Sequence, residues 1–385
     1  MTQHLRLRPR ATLAPSLLSI SLLLTVLPAA NAATVRVHYD TGLGNAITLR
    51  GDVAPLSWTS SAATTWTTGN VWVWNSSTSM PAFAFKPLLN DEQWSVGANY
   101  QVPAGDPVVD VFPFFGTATG SLEKVDNFYS PQLNNQRTLI LYLPPSYDEN
   151  AAKRYPVVYM HDGQNLFDPS TSFGGSEWEV DETLDSLVAS GLARELIVVG
   201  IYNTSGRIDE YTPVPDPDYG GGNGDAYLDF VQKTVKPYVD GHYRTISDAG
   251  ATGMIGSSLG GLITCYAGWT RSDFAHNLGC MSSSFWWNDE WLTDLVAADT
   301  NPNPPVRIYL DSGNPGDGYQ ETIRMRDTLA ERGFVFNDTL FHWAEAGAQH
   351  NEAAWAERFH QPIETFYPFS QELDVAATAT VVANP

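Results

Sequence analysis

From about residue 127 to residue 366 the sequence alternates two kinds of apolar segment, and that alternation limits the fold more than any other feature. Short runs rich in β-branched and aromatic residues read as strands: RTLILYLP, YPVVYMHD, ELIVVGIY, ATGMI, NLGCMSS, VRIYLD and DTLFHW. Between them, EWEVDETLDSLVAS, GDAYLDFVQKTVKPYV, LGGLITCYAGW, YQETIRMRDTLAERG and NEAAWAERFHQPIETF carry apolar residues at helical spacing. Strands alternating with helices build βαβ units, so residues 128–369 are expected to form an α/β domain with a mostly parallel sheet. Residues 34–116 follow another rule. Their runs TVRVHYD, AITLRGD, VWVWN, FAFKPLL and VVDVFPFF are short and broken by Gly, Asn, Pro and Ser, which predicts a small all-β sandwich. Residues 117–127, with GTATGSLEK, read as a linker, and residues 370–385 as a loose tail.

The first 32 residues read as an export signal. Arg6, Arg8 and Arg10 precede the apolar run SLLSISLLLTVL, and PAANA offers an Ala-x-Ala cleavage site ending at Ala32. The apolar run is short for a membrane span, which takes about 20 residues. The expected location is therefore secreted or periplasmic, with no membrane association once the signal is removed. Residues 1–32 hold three arginines and no acid, so their removal takes the formal net charge from −22 to −25. Such acidity argues against nucleic acid as a partner. With 43% hydrophobic and 12% aromatic residues, disorder is not the reason for it. Cys265 and Cys280, the two cysteines, either pair as a disulfide in an exported chain or remain buried thiols.

The stretch GMIGSSLGG, residues 253–261, carries the chemistry. A Gly-x-Ser-x-Gly motif is short enough to arise by chance. Here a strand candidate precedes it and a helix candidate follows, which is the context of a nucleophile elbow. Gly256 and Gly260 flank Ser258 at the required offsets; Ser257 would be flanked by Ile255 and Leu259 and fails. Ser258 is thus the candidate nucleophile. A serine hydroxyl needs a base, expected later in the chain in the order Ser, acid, His. His276 comes too early, His342 lies on a strand and His360 within the last helix. His350, in a loop between the last strand and the last helix, has the right position. The acid should follow the penultimate strand, where VRIYLDSGNPGDGYQ offers Asp311 and Asp317. Asp317 is preferred because it lies in the loop, free to turn to His350. An oxyanion hole needs two main-chain N–H groups: Leu259, after the nucleophile, and Gly163 or Gln164 in YMHDGQNLFD. DPDYGG, with Asp216 and Asp218, breaks the calcium-loop template, and no Cys or His pair has zinc spacing. No metal or cofactor is expected.

Taken together, RTLILYLPPSYDENAAKRYPVVYMHDGQNLFD, GIYNTSGRIDEYTP, YVDGHYRT, GMIGSSLGGL and HNEAAWAERF resemble the enterochelin-esterase-like group of α/β-hydrolases. That group includes feruloyl and acetylxylan esterases of carbohydrate esterase family 1, S-formylglutathione hydrolases and mycolyltransferases. The resemblance covers about residues 128–368. It implies the α/β-hydrolase fold and serine ester chemistry, with Ser258 as nucleophile, His350 as base and Gln164 as the second oxyanion amide. It also implies that Asn203, Arg207, Glu210 and Tyr211 run along the cleft; from the residues alone, an Arg207–Glu210 pair pinning a loop is an equal reading. Trp286 and Trp287, after the next strand, are candidate walls of the substrate site, Trp287 the chosen one. The chain departs from the family at the acid, which usually lies three residues after the glycine ending the strand. After Gly313 that position is Gly316, and Asp317 comes one later. AITLRGDVAPLSW and FAFKPLLNDEQWSVGANYQVPAG resemble starch-binding modules, which implies Trp58 and Trp94 as sugar-stacking platforms with Lys86 nearby. The expectation is a secreted serine esterase acting through an acyl-enzyme on acyl or feruloyl esters of polysaccharides, with glucan binding by the N-terminal domain. The alternatives are a siderophore trilactone esterase, an acyltransferase, or a non-catalytic glycan-binding protein.

Overall fold

The computed structural model describes residues 33–105 and 107–369. The expected export signal at 1–32 and tail at 370–385 lie outside the described residues.

Eight strands form the main sheet: β1 (Ser121–Ser130), β2 (Asn135–Leu143), β3 (Val157–His161), β4 (Ile197–Ile201), β5 (Thr252–Ser257), β6 (Asn277–Met281), β7 (Arg307–Asn314) and β8 (Leu340–Ala346). Their order is β1-β2-β4-β3-β5-β6-β7-β8. β1, β2 and β4 pair antiparallel, and every other neighbour pairs parallel. Strands β3 to β6 are buried at every residue, because helices cover both faces. This is the α/β-hydrolase architecture.

Helices follow in chain order: α1 (Val180–Ser190), α2 (Arg207–Glu210), α3 (Gly224–Phe230), α4 (Lys236–His242), α5 (Leu259–Thr270), α6 (Trp287–Ala298), α7 (Tyr319–Glu331) and α8 (Glu352–Phe366). A π-helical stretch, Val231–Val235, joins α3 to α4. Residues of α3 to α7 pack on one face of the sheet; Val180, Leu184 and Leu187 of α1 meet Trp355, Phe359 and Ile363 of α8 on the other. The structure adds α6 to the expected helices. Its buried Leu292 and Val296 are one turn apart, but the preceding SSSFWW run masks the start of the pattern.

The N-terminal β domain has two sheets. One runs in the order Thr65–Thr67, Val71–Asn75, Thr34–His38, Val108–Val111; the other, Ala62–Ala63, Ile47–Gly51, Phe83–Leu89, Gln93–Trp94. Alternate residues of both, including Val35, Val37, Leu49, Trp72, Trp74 and Phe85, fill the core between them. The loop after β2 ties this domain to the α/β unit. The Glu149 carboxylate accepts from Tyr39 Oη (2.8 Å) and from the amides of Phe115 (2.6 Å) and Gly116 (2.8 Å). Asn150 Nδ2 donates to the carbonyls of His38 and Pro113, both at 2.9 Å.

The linker expected at 117–127 needs correction, since β1 begins at Ser121. β1 lies at the edge of the sheet, most of its side chains face solvent, and a bulge between Val125 and Phe128 interrupts its alternation. Both features remove the apolar period by which a strand is recognised in a sequence.

One buried ion pair fixes the loop after β4 to β2. Arg137 Nη1 donates to Glu210 Oε2 at 2.9 Å and Nη2 to Oε1 at 3.0 Å, with Asn135 Nδ2 also donating to Oε1 at 2.9 Å. The Arg137 side chain is 0% exposed and that of Glu210 5%. Removing one partner of such a pair strands the other charge. Arg137→Met should therefore destabilise the protein by about 3–5 kcal/mol in urea unfolding. A loss below about 1 kcal/mol would mean that the pair behaves like an exposed one.

Candidate active site

Ser258 occupies the turn between β5 and α5, with φ 58° and ψ −125°. This backbone conformation is uncommon for a residue with a side chain, and it presents Oγ above the carboxyl edge of the sheet. A Cβ on Gly256 would lie 2.8 Å from the Gly260 main chain and 2.7 Å from His161 Cδ2, so only glycine permits the turn to close this tightly. Ser258 Oγ lies 3.3 Å from Ser284 Oγ, and the Ser284 amide donates to the Ser258 carbonyl at 2.9 Å.

Asp317 and His350 come from two loops at the same edge. His350 Nδ1 and Asp317 Oδ1 are 2.6 Å apart. Asp317 Oδ2 accepts from Ser282 Oγ and from the Gly313 amide, each at 2.6 Å. Burial alone would push this carboxyl up. The hydrogen bonds from His350, Ser282 and Gly313 outweigh burial and hold it below the usual carboxylate range. The two loops approach closely at Gly313, where a Cβ would lie 2.0 Å from the Ala348 carbonyl oxygen. Asn351, next to His350, caps α8 by accepting from the Ala354 amide at 3.0 Å, which fixes the end of the histidine loop.

Asp311, the other acid candidate, points away from His350. It is fully buried on β7 and paired with Arg358 of α8, with Nε to Oδ2 at 3.1 Å. Burial pushes its carboxyl above the ordinary value, an effect that Arg358 only partly offsets.

A cleft of about 380 Å³ opens beside Ser258 and His350, lined also by Gln164, Phe173, Asn203, Arg207 and Glu352 among others. Gln164 sits in the 3-10 turn Gly163–Asn165, and Leu259 opens α5. Amides in the first turn of a helix have no intrahelical acceptor, so both positions have an N–H available. Arg207 does not pair with Glu210, which Arg137 occupies. Arg207 Nε and Nη2 instead hold Asp162 Oδ1 and Oδ2, both at 2.8 Å, and Asn203 Nδ2 adds a bond to Oδ1 at 2.6 Å. Burial raises the Asp162 carboxyl, but the Arg207 charge and these bonds bring it below its usual value.

The structure corrects the expectation for Trp287. It is 3% exposed, and its Nε1 donates to the Val214 carbonyl at 2.8 Å, so it belongs to the core. Two exposed aromatic residues lie against it, Trp286 and Tyr219, with ring centroids 5.7 Å apart. In the N-terminal domain Trp58 and Trp94 are 36% and 40% exposed, with ring centroids 6.3 Å apart. Arg50, rather than Lys86, stands over Trp94, 5.2 Å from the ring; Lys86 Nζ donates to the Gly97 carbonyl.

Cys265 and Cys280 are buried free thiols in contact, not a disulfide. Burial and the Cys265 contact push the Cys280 thiol well above its usual value. Among the described residues, Glu177, Asp181 and Glu182 form a group close enough to hold a metal ion. None of them lines the cleft; burial, then the charges of Glu182, Asp168 and Glu179, push Glu177 up to about 7, and burial, then the hydrogen bond and charge of Glu182, push Asp181 up to about 7.

Sequence reasoning missed Ser284, Asp162, Glu352 and the Ser282–Arg358 support behind Asp317. Arg358 alone had a signal: it falls on the buried stripe of α8 with Trp355, Phe359, Pro362 and Ile363, where a charge requires a partner.

His161, under the elbow, is fully buried between Tyr227 Oη (2.7 Å from Nδ1) and Thr264 Oγ1 (3.1 Å from Nε2). Burial lowers its pKa to about 4. The unfolded chain therefore takes a proton below about 6.5 that the native state refuses until about 4, and stability falls as pH drops through that window. The loss should reach roughly 3 kcal/mol. His161→Gln should lack this component, so the gap in unfolding free energy between wild type and variant should narrow from pH 7 to pH 4. A constant gap would mean that His161 takes up its proton in the native state as readily as in the unfolded chain.

A family model described as "Putative esterase" matches residues 130–366. A curated relative, the siderophore triacetylfusarinine C esterase of Aspergillus fumigatus, is 30% identical over 142 residues, which span 34% of this chain and 45% of the relative. Among solved structures, a ferulic acid esterase has a TM-score of 0.51 at 21% identity, covering 65% of this chain and 98% of its own. The enterobactin esterase FES from Shigella flexneri has a TM-score of 0.53 at 17% identity, covering 83% of this chain and 87% of its own. Those structural likenesses bear on the fold. The family match spans more than half of the sequence, and the chain belongs to the esterase family as a carboxylic ester hydrolase.

Proposed function

We propose that the protein is an exported serine esterase working through an acyl-enzyme. The observation that carries this reading is the 2.6 Å contact between His350 Nδ1 and Asp317 Oδ1 at the cleft that Ser258 also lines. In the proposed cycle Ser258 Oγ exchanges its contact with Ser284 Oγ, at 3.3 Å, for one with His350 Nε2. Oγ attacks the ester carbonyl as its proton passes to Nε2, and the oxyanion is held by the amides of Leu259 and Gln164. The C–O bond to the alcohol breaks, and the alcohol takes the proton from His350. Water then loses a proton to the same nitrogen and attacks the acyl carbon; the bond from that carbon to Ser258 Oγ breaks, Oγ takes the proton back from Nε2, and the acid is released. Asp317 orients the imidazole and stabilises the imidazolium without itself taking the proton.

The substrate class proposed is an acyl or feruloyl ester on a polysaccharide. Phe173 in the cleft lining and the exposed Trp286 and Tyr219 offer flat apolar surface to an aromatic acyl group or a sugar ring. The Trp58–Trp94 pair is proposed as a glucan platform. A siderophore ester is the second reading, and one observation favours it. The likeness to the enterobactin esterase covers 83% of the chain, against 65% for the ferulic acid esterase, so it extends beyond the α/β unit into the N-terminal domain.

A fluorophosphonate probe should label wild type and leave Ser258→Ala unlabelled; equal labelling of both would reject Ser258. On p-nitrophenyl acetate, Asp317→Asn should lower kcat by roughly 10³–10⁴-fold. In a panel of methyl ferulate, acetylated xylan and an enterobactin-type trilactone, methyl ferulate should give the highest kcat/KM; a lead for the trilactone would select the second reading. Trp58→Ala should weaken retention on starch, and unchanged retention would remove the glucan site.

A further inference from the structure

Behind Asp317 lies a group of polar residues that the cycle above does not use. Asp311 on β7 is 0% exposed and Arg358 on α8 is 2% exposed. Arg358 Nε donates to Asp311 Oδ2 at 3.1 Å and Nη2 to Oδ1 at 3.3 Å. The same Nη2 donates to Ser282 Oγ at 2.8 Å and stands 3.7 Å from Asp317 Oδ2. Ser282 completes the link: its hydroxyl donates to Asp317 Oδ2 at 2.6 Å and its amide to Asp311 Oδ1 at 3.0 Å. Asp311, Arg358 and Asp317 thus form a buried line of alternating sign that ends at the imidazole of the more exposed His350.

We propose that Asp311, Arg358 and Ser282 act as a positioning unit that sets how strongly Asp317 stabilises a protonated His350. The inference rests on the roles proposed for Ser258, His350 and Asp317.

Asp317 divides its two oxygens. Oδ1 serves His350, and Oδ2 is held by Ser282, by the Gly313 amide and by the nearby Arg358 charge. An unopposed guanidinium this close would draw on the Asp317 charge and weaken its effect on the imidazolium. Asp311 prevents this by taking most of the guanidinium's hydrogen bonds and cancelling its charge. The fully buried carboxylate is thus a counter-ion that leaves the Asp317 charge available to His350. Ser282 fixes the distance, because one hydroxyl bridges Arg358 and Asp317. The other titratable or charged groups around this line are few. Tyr309 and Cys280 face Asp311, Glu345 faces Tyr309, and Glu352, Asp162 and Arg207 lie across the cleft near His350. Each is unchanged in the variants below.

The test is the acid limb of kcat/KM against pH on p-nitrophenyl acetate, which reports the base of the free enzyme. In Asp311→Asn, Arg358 acts on Asp317 alone, so His350 gives up its proton more easily. The limb should move to lower pH by about half a unit to one unit, with a lower plateau. In Arg358→Met, the buried Asp311 loses its counter-ion and takes a proton, and Asp317 keeps an undivided charge, so the limb should move to higher pH by a similar amount. Arg358→Lys should return the limb towards wild type. Ser282→Ala removes one donor from Asp317 and should also raise the limb. It deletes only a hydroxyl, so it decides the matter if either charge variant fails to fold. A merely structural role would lower stability and leave the limb in place. An unmoved limb in Ser282→Ala, or shifts of one sign in Asp311→Asn and Arg358→Met, overturns the proposal. Full activity in His350→Gln would instead overturn the underlying assignment of the base, so the two failures are distinguishable.

Discussion

The close approach of main chains at the nucleophile turn is the constraint on which the rest of the site depends. Ser258 can sit above the sheet only if β5 passes directly into α5, and that requires a backbone conformation costing on the order of 1–3 kcal/mol. β5 is buried along its whole length and α5 over most of its own, so the surrounding core holds the strained residue in place. His161 packs beneath the turn against Gly256 and Gly260, and its bonds to Tyr227 and Thr264 fill the space without placing a charge there. The strand carrying His161 leads directly into the Asp162–Asn165 loop, so the proposed nucleophile and the proposed oxyanion amides share one rigid base.

Charge around the cleft is arranged in pairs that leave few groups free. Glu210 is held by Arg137, Asp162 by Arg207 and Asn203, and Asp311 by Arg358. In a chain with formal net charge −22, most carboxylates repel one another in solvent, and these three lie inside with their own cations. Asp317 differs in being shared between a guanidinium behind it and an imidazole in front. Its hydrogen bonds outweigh burial and keep it ionised, whereas Asp311 is shifted the opposite way. Two aspartates six residues apart on one strand and loop are thereby suited to different work.

Much of this was legible in the sequence, for reasons that can be named. The buried strands of the sheet announce themselves as apolar runs, and the glycine offsets separate Ser258 from Ser257. Loop position selects His350 and favours Asp317. What was not legible depended on long-range contact. The partners of Arg207 and Glu210 lie on other segments, so the short spacing between these two suggested the wrong pair. β1 was hidden by its exposure at the edge. Trp287 was expected at the site because it follows a strand of the sheet, and its burial and its bond to Val214 show it to be core. Arg358 stood in plain view on the apolar face of α8, but its meaning required knowing that Asp311 and Asp317 face it from β7 and its loop.

The most direct measurement of the central claim is rapid-quench trapping of the acyl-enzyme, with p-nitrophenyl acetate as substrate and peptide mapping by mass spectrometry. Acetyl should appear on Ser258 within the first turnover and decay as the acid is released. Acetyl on Ser257 or Ser284 instead, or multiple turnovers with no acyl group on the protein, would contradict an acyl-enzyme formed at the nucleophile turn.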